Sequence, residues 1–196
     1  TKHFGRDKLN LDGEGTRMTT ETLVTGLCFG EGPRWHEGAL WLSDMHARQV
    51  LQVSLSGNVD TMVEVPHWPS GLGWLPNGDL LVVSMTDRTL LRWNGKKLRV
   101  HADLSKLASF HCNDMVVDGS GRAYVGNFGF DLHGKQKVKT AELICVEASG
   151  DARVVANGLA FPNGTVITPD GRTLIVAESW GGRLTAFDVH ADGSLS

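Results

Sequence analysis

A pattern that occurs four times along the chain constrains its fold more than any other feature. Each copy has a short apolar run, a turn that ends in glycine, and a second apolar run. The copies span residues 32–44, 71–84, 114–127 and 164–178, with turn glycines Gly38, Gly78, Gly121 and Gly171. Glycine reaches the positive φ angles that tight hairpin turns require, so each copy predicts a β-hairpin.

Two further short strands are expected after each hairpin. In the first copy they run over Gln49 to Leu55 and Val59 to Val65, joined by a turn at Ser56–Asn58. The unit is then a four-stranded antiparallel meander that recurs about every 40 to 50 residues, the spacing of propeller blades. No segment has the periodicity and caps of an extended amphipathic helix. The sequence therefore predicts an all-β chain, a β-propeller with four recognisable blades.

The two ends of the chain depart from the repeat. Residues 1–18 share no pattern with it and are expected to be a leader or an appended arm, with the propeller domain over residues 19–196. Thr22–Leu27 resembles an outer strand, whereas the fourth copy supplies three strands. Either four blades close on themselves or the chain is part of a larger ring. An open ring would expose apolar sheet faces, and self-association is then expected.

Charge and apolar content exclude several classes of partner. The 196 residues include 19 Lys and Arg against 22 Asp and Glu, with no basic run, which argues against nucleic acid. No apolar stretch approaches the roughly 20 residues that cross a bilayer, so a soluble protein without a membrane partner is expected. The 3 cysteines form no Cys-x-x-Cys pair, which favours a cytoplasmic location, and Cys112 is expected to be buried and inert.

One repeat position carries an oxygen-bearing side chain directly before the innermost strand of every blade. These ring residues are Glu31, Ser70, Asn113 and Asn163. The second strands end on the same face, at Asp44, Ser84, Asn127 and Glu178, for which a structural role is expected. Each polar residue alone could cap a local turn. The shared register instead favours convergence on the channel axis and a hard divalent cation, above all for Glu31 and Asn163.

A set of ordered motifs carries a resemblance to a known family. The motifs are Glu31-Gly32-Pro33, Asn113-Asp114 followed by Asp118–Arg122, Gly126–Asp131, and Phe161–Gly164. From about Thr22 to its end, the chain resembles the SMP-30/gluconolactonase/regucalcin family. The resemblance implies a six-bladed propeller with one divalent cation on its axis, of which this chain would hold about four blades. It also implies hydrolysis of aldonolactones or related esters.

The resemblance assigns roles to individual residues. It makes Glu31 and Asn163 metal ligands and Asn113 a substrate contact. His111 stands where many members of the family have an arginine that binds sugar hydroxyls. Apart from the resemblance, Trp180 is a candidate wall of the substrate site, because it follows the second strand of the last blade. The third ligand of the family, an aspartate also proposed as general base, has no counterpart in this chain, so the base is unassigned. Ca²⁺ is the first choice of cation, with Mg²⁺, Mn²⁺, Zn²⁺ and Fe²⁺ as alternatives.

Two functions remain as alternatives at this point. The first is metal-dependent hydrolysis of a small sugar lactone, in which a carboxylate accepts a proton from water; Asp44 or Glu178 could replace the absent aspartate. The second is a propeller without catalysis that binds calcium or another protein, because a fold does not determine its function. His133, in the insertion Phe128–Ala141, is either part of a lid or a solvated loop residue.

Overall fold

The described part of the computed structural model comprises residues 21–134 and 136–196. The predicted arm at residues 1–18 lies outside these residues. Every regular element in the described part is a β-strand, and none is a helix, as the sequence predicted. In particular, the described part contains no helix with the length and apolar character needed to cross a bilayer.

The strands form four antiparallel sheets, each of which is one blade. Blade 1 has strands β1 (Gly30–His36), β2 (Ala39–Asp44), β3 (Gln49–Val53) and β4 (Val59–Glu64). Blade 2 has β5 (Pro69–Trp74), β6 (Leu80–Ser84), β7 (Thr89–Trp93) and β8 (Leu98–Asp103). Blade 3 has β9 (Cys112–Val117), β10 (Ala123–Asn127), β11 (Ala141–Val146) and β12 (Ala152–Leu159). Blade 4 has β13 (Pro162–Ile167), β14 (Thr173–Glu178) and β15 (Arg183–Asp188).

Each blade is a meander, because its strands are paired in the order in which they occur in the sequence. The chain is therefore a β-propeller with four blades, and the described part of blade 4 has three strands, as predicted. The turn glycines of the first hairpins also behave as expected. Their φ angles are 79° at Gly38, 86° at Gly78, 85° at Gly121 and 72° at Gly171.

The prediction of a strand at Thr22–Leu27 is wrong. These residues form no ladder in the structure, and the first strand begins at Gly30. Val24 instead packs against a small apolar cluster of blade 1 that contains Leu42 and Leu51. The apolar residues of the segment therefore reflect packing of Val24 on one blade, without backbone pairing.

The core lies between the blades, so the second strands of blades 1 to 3 are buried on both faces, whereas β14 of blade 4 alternates buried and partly buried residues. In β6, Leu81 and Val83 belong to the apolar cluster between blades 2 and 3. Leu80 and Val82, which alternate with them, belong to the cluster between blades 1 and 2. Because successive side chains of a strand point to opposite faces, such a strand is apolar throughout. The inner strands β1, β5, β9 and β13 contact one another in this order.

The two cysteines in the core are expected to be unreactive in the native protein. Burial raises the pKa of the Cys112 thiol to about 12 and that of Cys145 to about 11, whereas Cys28 is exposed. The thiolate is the reactive form. A chromogenic thiol reagent at pH 8 should therefore titrate one thiol in the native protein and three after denaturation. Rapid titration of two or three native thiols would contradict this packing.

Candidate active site

A β-bulge lies at the ring position of every inner strand. The pairing of inner and second strands shifts register between Glu31 and Arg34, Pro69 and Leu72, Cys112 and Met115, and Pro162 and Thr165. A bulge inserts one residue, bends its strand and re-aims a side chain. The same local distortion is thus repeated in all four blades where the polar ring was predicted.

Three of the four ring residues line one cavity of about 270 Å³, at the end of the propeller where the inner strands begin. They are Glu31, Asn113 and Asn163, and His111 lines the same cavity. The structure therefore brings together both predicted metal ligands and two of the three predicted substrate contacts. The remaining ring residue, Ser70, is fully buried, and its Oγ has no hydrogen-bond partner among the described residues.

Both ring asparagines are anchored through their amide nitrogens. Nδ2 of Asn113 donates to the carbonyl oxygen of Pro162 at 3.0 Å, and Nδ2 of Asn163 donates to Oγ of Ser179 at 3.2 Å. Within the described part, neither Oδ1 accepts a hydrogen bond. These two carbonyl oxygens therefore remain available as ligands or acceptors.

The carboxylate of Glu31 lies where negative charge is unfavourable. Burial raises its pKa, and the charge of Asp114 raises it further, although the backbone N–H of Gly32 partly opposes the shift. A cation beside Glu31 would relieve both effects. One carboxylate and two amide oxygens are donors that suit a hard divalent cation. The described residues contain no group of three or more His, Cys, Asp and Glu that could hold a metal. A cation at this site would therefore need the amide oxygens of Asn113 and Asn163 as ligands in addition to Glu31.

The walls of the cavity are largely aromatic and apolar. Each blade contributes the residue two positions before its ring residue, namely Phe29, Trp68, His111 and Phe161, and three blades add Met45, Met85 and Phe128 after the second strand. Apart from His111, the prediction from sequence missed these residues. The signal was an aromatic side chain at one repeat position of all four copies.

His111 is held against this aromatic wall. Its ring stacks on Phe110, with ring centroids 4.2 Å apart, and lies 6.0 Å from the ring of Phe128. Burial lowers the pKa of His111, and the nearby carboxylate of Asp131 opposes this shift only in part. A neutral imidazole offers one donor and one acceptor to a bound molecule.

Comparison with known proteins identifies the family. A family model described as SMP-30/Gluconolactonase/LRE-like region matches residues 29–196. The chain belongs to this family. The resemblance inferred from the ordered motifs is thereby confirmed.

Solved structures of the SMP-30/gluconolactonase/LRE-like type share the fold of this chain. A gluconolactonase from Xanthomonas campestris is 23% identical, with a TM-score of 0.72 over 89% of this chain and 62% of that chain. A calcium-binding protein, regucalcin, from Agrobacterium tumefaciens is 24% identical, with a TM-score of 0.70 over 86% of this chain and 57% of that chain. The chain therefore spans less than two thirds of the length of these relatives.

The fold also occurs outside gluconolactonases. A chain of a nidogen/laminin complex is 15% identical, with a TM-score of 0.66 over 81% of this chain and 60% of that chain. Fold likeness alone therefore does not separate an enzyme from a binding module.

The predicted wall residue Trp180 does not line the cavity of this family member. The residue is 54% exposed. Its ring packs edge-on against Phe130, with centroids 5.7 Å apart, and at a tilt against Phe161, with centroids 6.3 Å apart. Since Phe161 lines the cavity, Trp180 contacts the wall from outside. His133 of the insertion lines the cavity and is also exposed, so it fits both the lid and the solvated-loop interpretation.

His46 is a cavity residue that the sequence did not reveal. It lies between two aromatic wall residues, with ring centroids 5.2 Å from Phe29 and 5.1 Å from Trp68. It lies two residues after the end of the second strand of blade 1, and no other copy of the repeat has a histidine at that position. The repeat therefore carried no signal for it.

The polar residues at the ends of the second strands hold the backbone that leads into the inner strands. Asp44 accepts hydrogen bonds from the N–H groups of Cys28 at 3.0 Å and Phe29 at 2.8 Å. Glu178 accepts from the N–H of Ala160 at 2.6 Å and is paired with Arg183 at 2.7 Å. These contacts position the segments before Glu31 and Asn163, so both carboxylates have the structural role that the sequence predicted.

Proposed function

We propose that this protein is a metal-dependent hydrolase of small sugar lactones. The observation that carries the proposal is the convergence of Glu31, Asn113 and Asn163 in one cavity with apolar walls. Membership of the SMP-30/gluconolactonase/LRE-like family supports the reaction class. A cavity of about 270 Å³ is at the small end of ligand sites, which suits a single sugar ring.

Glu31 and Asn163 would hold the cation, with Ca²⁺ as the first choice. A divalent cation held there would supply Lewis acidity to a lactone carbonyl and would lower the pKa of a water molecule. Asn113 presents its Oδ1 to a substrate hydroxyl, because its Nδ2 is already bonded to Pro162. The anchored amide needs no rearrangement when the substrate binds, which favours a fixed orientation of the ring.

His111 contributes to the choice of substrate. Its neutral imidazole can hydrogen-bond to a sugar hydroxyl without a fixed positive charge. An arginine at this position would attract anionic substrates, whereas the histidine favours neutral lactones. The aromatic and methionine side chains around it exclude water, which strengthens these polar contacts.

Cation binding without turnover is the second candidate. It is favoured by the fact that other carboxylates at this end of the propeller are engaged in other contacts. Asp114 accepts a hydrogen bond from Arg34 at 2.7 Å, and Asp44 and Glu178 hold backbone N–H groups. A carboxylate in such contacts is a poor acceptor for the proton of a water molecule.

A panel of sugar lactones distinguishes the two candidates. We expect proton release on lactone opening to fall at least about tenfold after treatment with a chelator, and to recover when Ca²⁺ or another divalent cation is added. Calorimetry with the same cations measures binding separately. Binding without hydrolysis would support the second candidate, whereas neither binding nor hydrolysis would contradict both.

A further inference from the structure

A second cavity, of about 300 Å³, opens at the opposite end of the propeller, between blades 1 and 2. The first cavity lies where the inner strands begin, whereas this one lies at the hairpin turns where they end. Its lining includes His36, Trp41, Trp74 and Trp93, together with Asn77 and Asn94 from two turns. None of its lining residues also lines the first cavity.

Strand pairing and stacking fix the aromatic wall of this second cavity. Trp74 is paired with Leu80, and Leu80 with Trp93, so these side chains lie on one face of blade 2. From blade 1, His36 stacks on Trp74 with centroids 3.8 Å apart and an interplanar angle of 13°. Trp41 meets Trp74 edge-on at 5.5 Å and 81°. The rings are thus held in position by one another, and Trp74 and Trp93 remain partly exposed.

The turns supply hydrogen-bond donors at the rim. Oδ1 of Asn77 accepts from the N–H of Asp79 at 3.3 Å, and Oδ1 of Asn94 accepts from the N–H of Lys97 at 2.9 Å. Both amides are thereby oriented through their oxygens. Nδ2 of Asn94 donates to no other described residue, so it retains two N–H donors, whereas the side chain of Asn77 also hydrogen-bonds to the carboxylate of Asp79. This is the reverse of the first cavity, where the amide oxygens remain available.

We infer that this second cavity binds a neutral sugar ring. A pyranose has an apolar C–H face, which packs on an indole, and an edge of hydroxyl groups, which accept hydrogen bonds from amides. Among the described residues that line the cavity, none is Lys or Arg. Glu37 contributes negative charge, whereas the carboxylate of Asp79 is paired with Arg92 at 2.5 Å. The charge of Glu37 disfavours a sugar acid. The volume suits one ring, not a longer glycan.

Methyl glycosides of glucose, galactose and mannose test this inference, because a lactonase cannot hydrolyse them. Calorimetry and tryptophan fluorescence should show binding of at least one of the three. Asn94→Asp keeps the oxygen that the turn needs and removes the N–H donors. It should weaken binding about threefold to tenfold, the effect of losing one hydrogen bond. Asn58→Asp makes the same charge change in a turn of blade 1, outside the cavity, and should leave the affinity unchanged.

Four results would overturn the inference. The first is no binding of any of the three glycosides at about 10 mM, a concentration that detects weak sites. The second is unchanged affinity in Asn94→Asp while circular dichroism shows native folding. The third is loss of glycoside binding in Glu31→Gln, because the sugar would then occupy the first cavity. The fourth is a preference for gluconate, which should bind more weakly than the glycosides. None of these results depends on whether the protein hydrolyses lactones.

Discussion

Replacing Glu31 with glutamine is expected to lower the affinity for a divalent cation by at least about 100-fold and to abolish lactone hydrolysis. The substitution removes the carboxylate from a donor set whose other members, Asn113 and Asn163, are neutral. Cation affinity is measured by calorimetry or by competition with a chelating dye. Glu64→Gln, which removes an exposed carboxylate from outer strand β4, should change neither quantity. Unchanged cation affinity in Glu31→Gln would end the metal-site proposal.

Cation binding by the wild-type protein should depend on pH in a way that binding by the Glu31→Gln variant does not. The pKa of Glu31 is raised, so a proton competes with the cation over a range that extends above the usual range for glutamate. Cation affinity of the wild-type protein should therefore fall as the pH falls through this raised pKa, and this component should be missing in Glu31→Gln. Because the folded state disfavours the ionised carboxylate, removing its charge should not destabilise the metal-free protein at neutral pH. Loss of binding then cannot be attributed to unfolding.

The second large effect is expected for Arg34→Met, which should lower the free energy of unfolding by about 3 to 5 kcal/mol. Nη2 of Arg34, in β1, donates to Oδ1 of Asp114 at 2.7 Å and to the carbonyl oxygen of Met115 at 2.5 Å, both in β9. This side chain therefore connects blades 1 and 3. Asp114 is 5% exposed. Methionine keeps much of the apolar stem but leaves this carboxylate buried without a cation.

The sign of the pH dependence identifies the cause of this loss. Burial raises the pKa of Asp114, and Arg34 partly offsets that shift. Without Arg34 the pKa rises further, so Asp114 of the variant becomes neutral at a higher pH than in the wild-type protein. The stability difference between variant and wild type should therefore be largest near pH 7 and shrink toward pH 4. Urea titrations at several pH values measure it.

Arg99→Met is the matched control for this second prediction. Arg99 is exposed on outer strand β8, so its replacement should change the free energy of unfolding by less than about 0.5 kcal/mol. An Arg34→Met deficit that is equal at pH 4 and pH 7 would show that lost packing, and not the buried carboxylate, is responsible.

Much of the candidate site was predictable because the repeat places equivalent residues at equivalent positions. Glu31, Asn113 and Asn163 occupy one register, and a propeller brings that register to one end of its channel. The aromatic residues two positions earlier, such as Phe29 and Phe161, carried the same kind of signal and were overlooked. Trp180 was predicted from its nearness in sequence to the end of β14, but the side chain packs outside the cavity wall.

The β-bulge in each inner strand at the ring position was not predicted, because the period of a regular strand carries no signal for an extra residue. The sequence also did not reveal that the candidate replacement bases are engaged in other contacts. Asp44 and Glu178 are at the correct end of the propeller, but each is engaged by backbone N–H groups. These hydrogen bonds join residues 15 to 18 positions apart. They depend on how the loops pack, so no periodic pattern in the sequence predicts them.

The sequence by itself determined the all-β class, the four hairpins with their turn glycines, and the polar ring. Strand periodicity and positive-φ turns depend on residues a few positions apart, so they can be recognised in the amino-acid sequence. Only the tertiary structure decided which polar side chains face a cavity, which are occupied by other contacts, and that a second, tryptophan-lined cavity lies at the opposite end. Those outcomes depend on how separate blades pack together, and packing is settled by contacts between residues far apart in the chain.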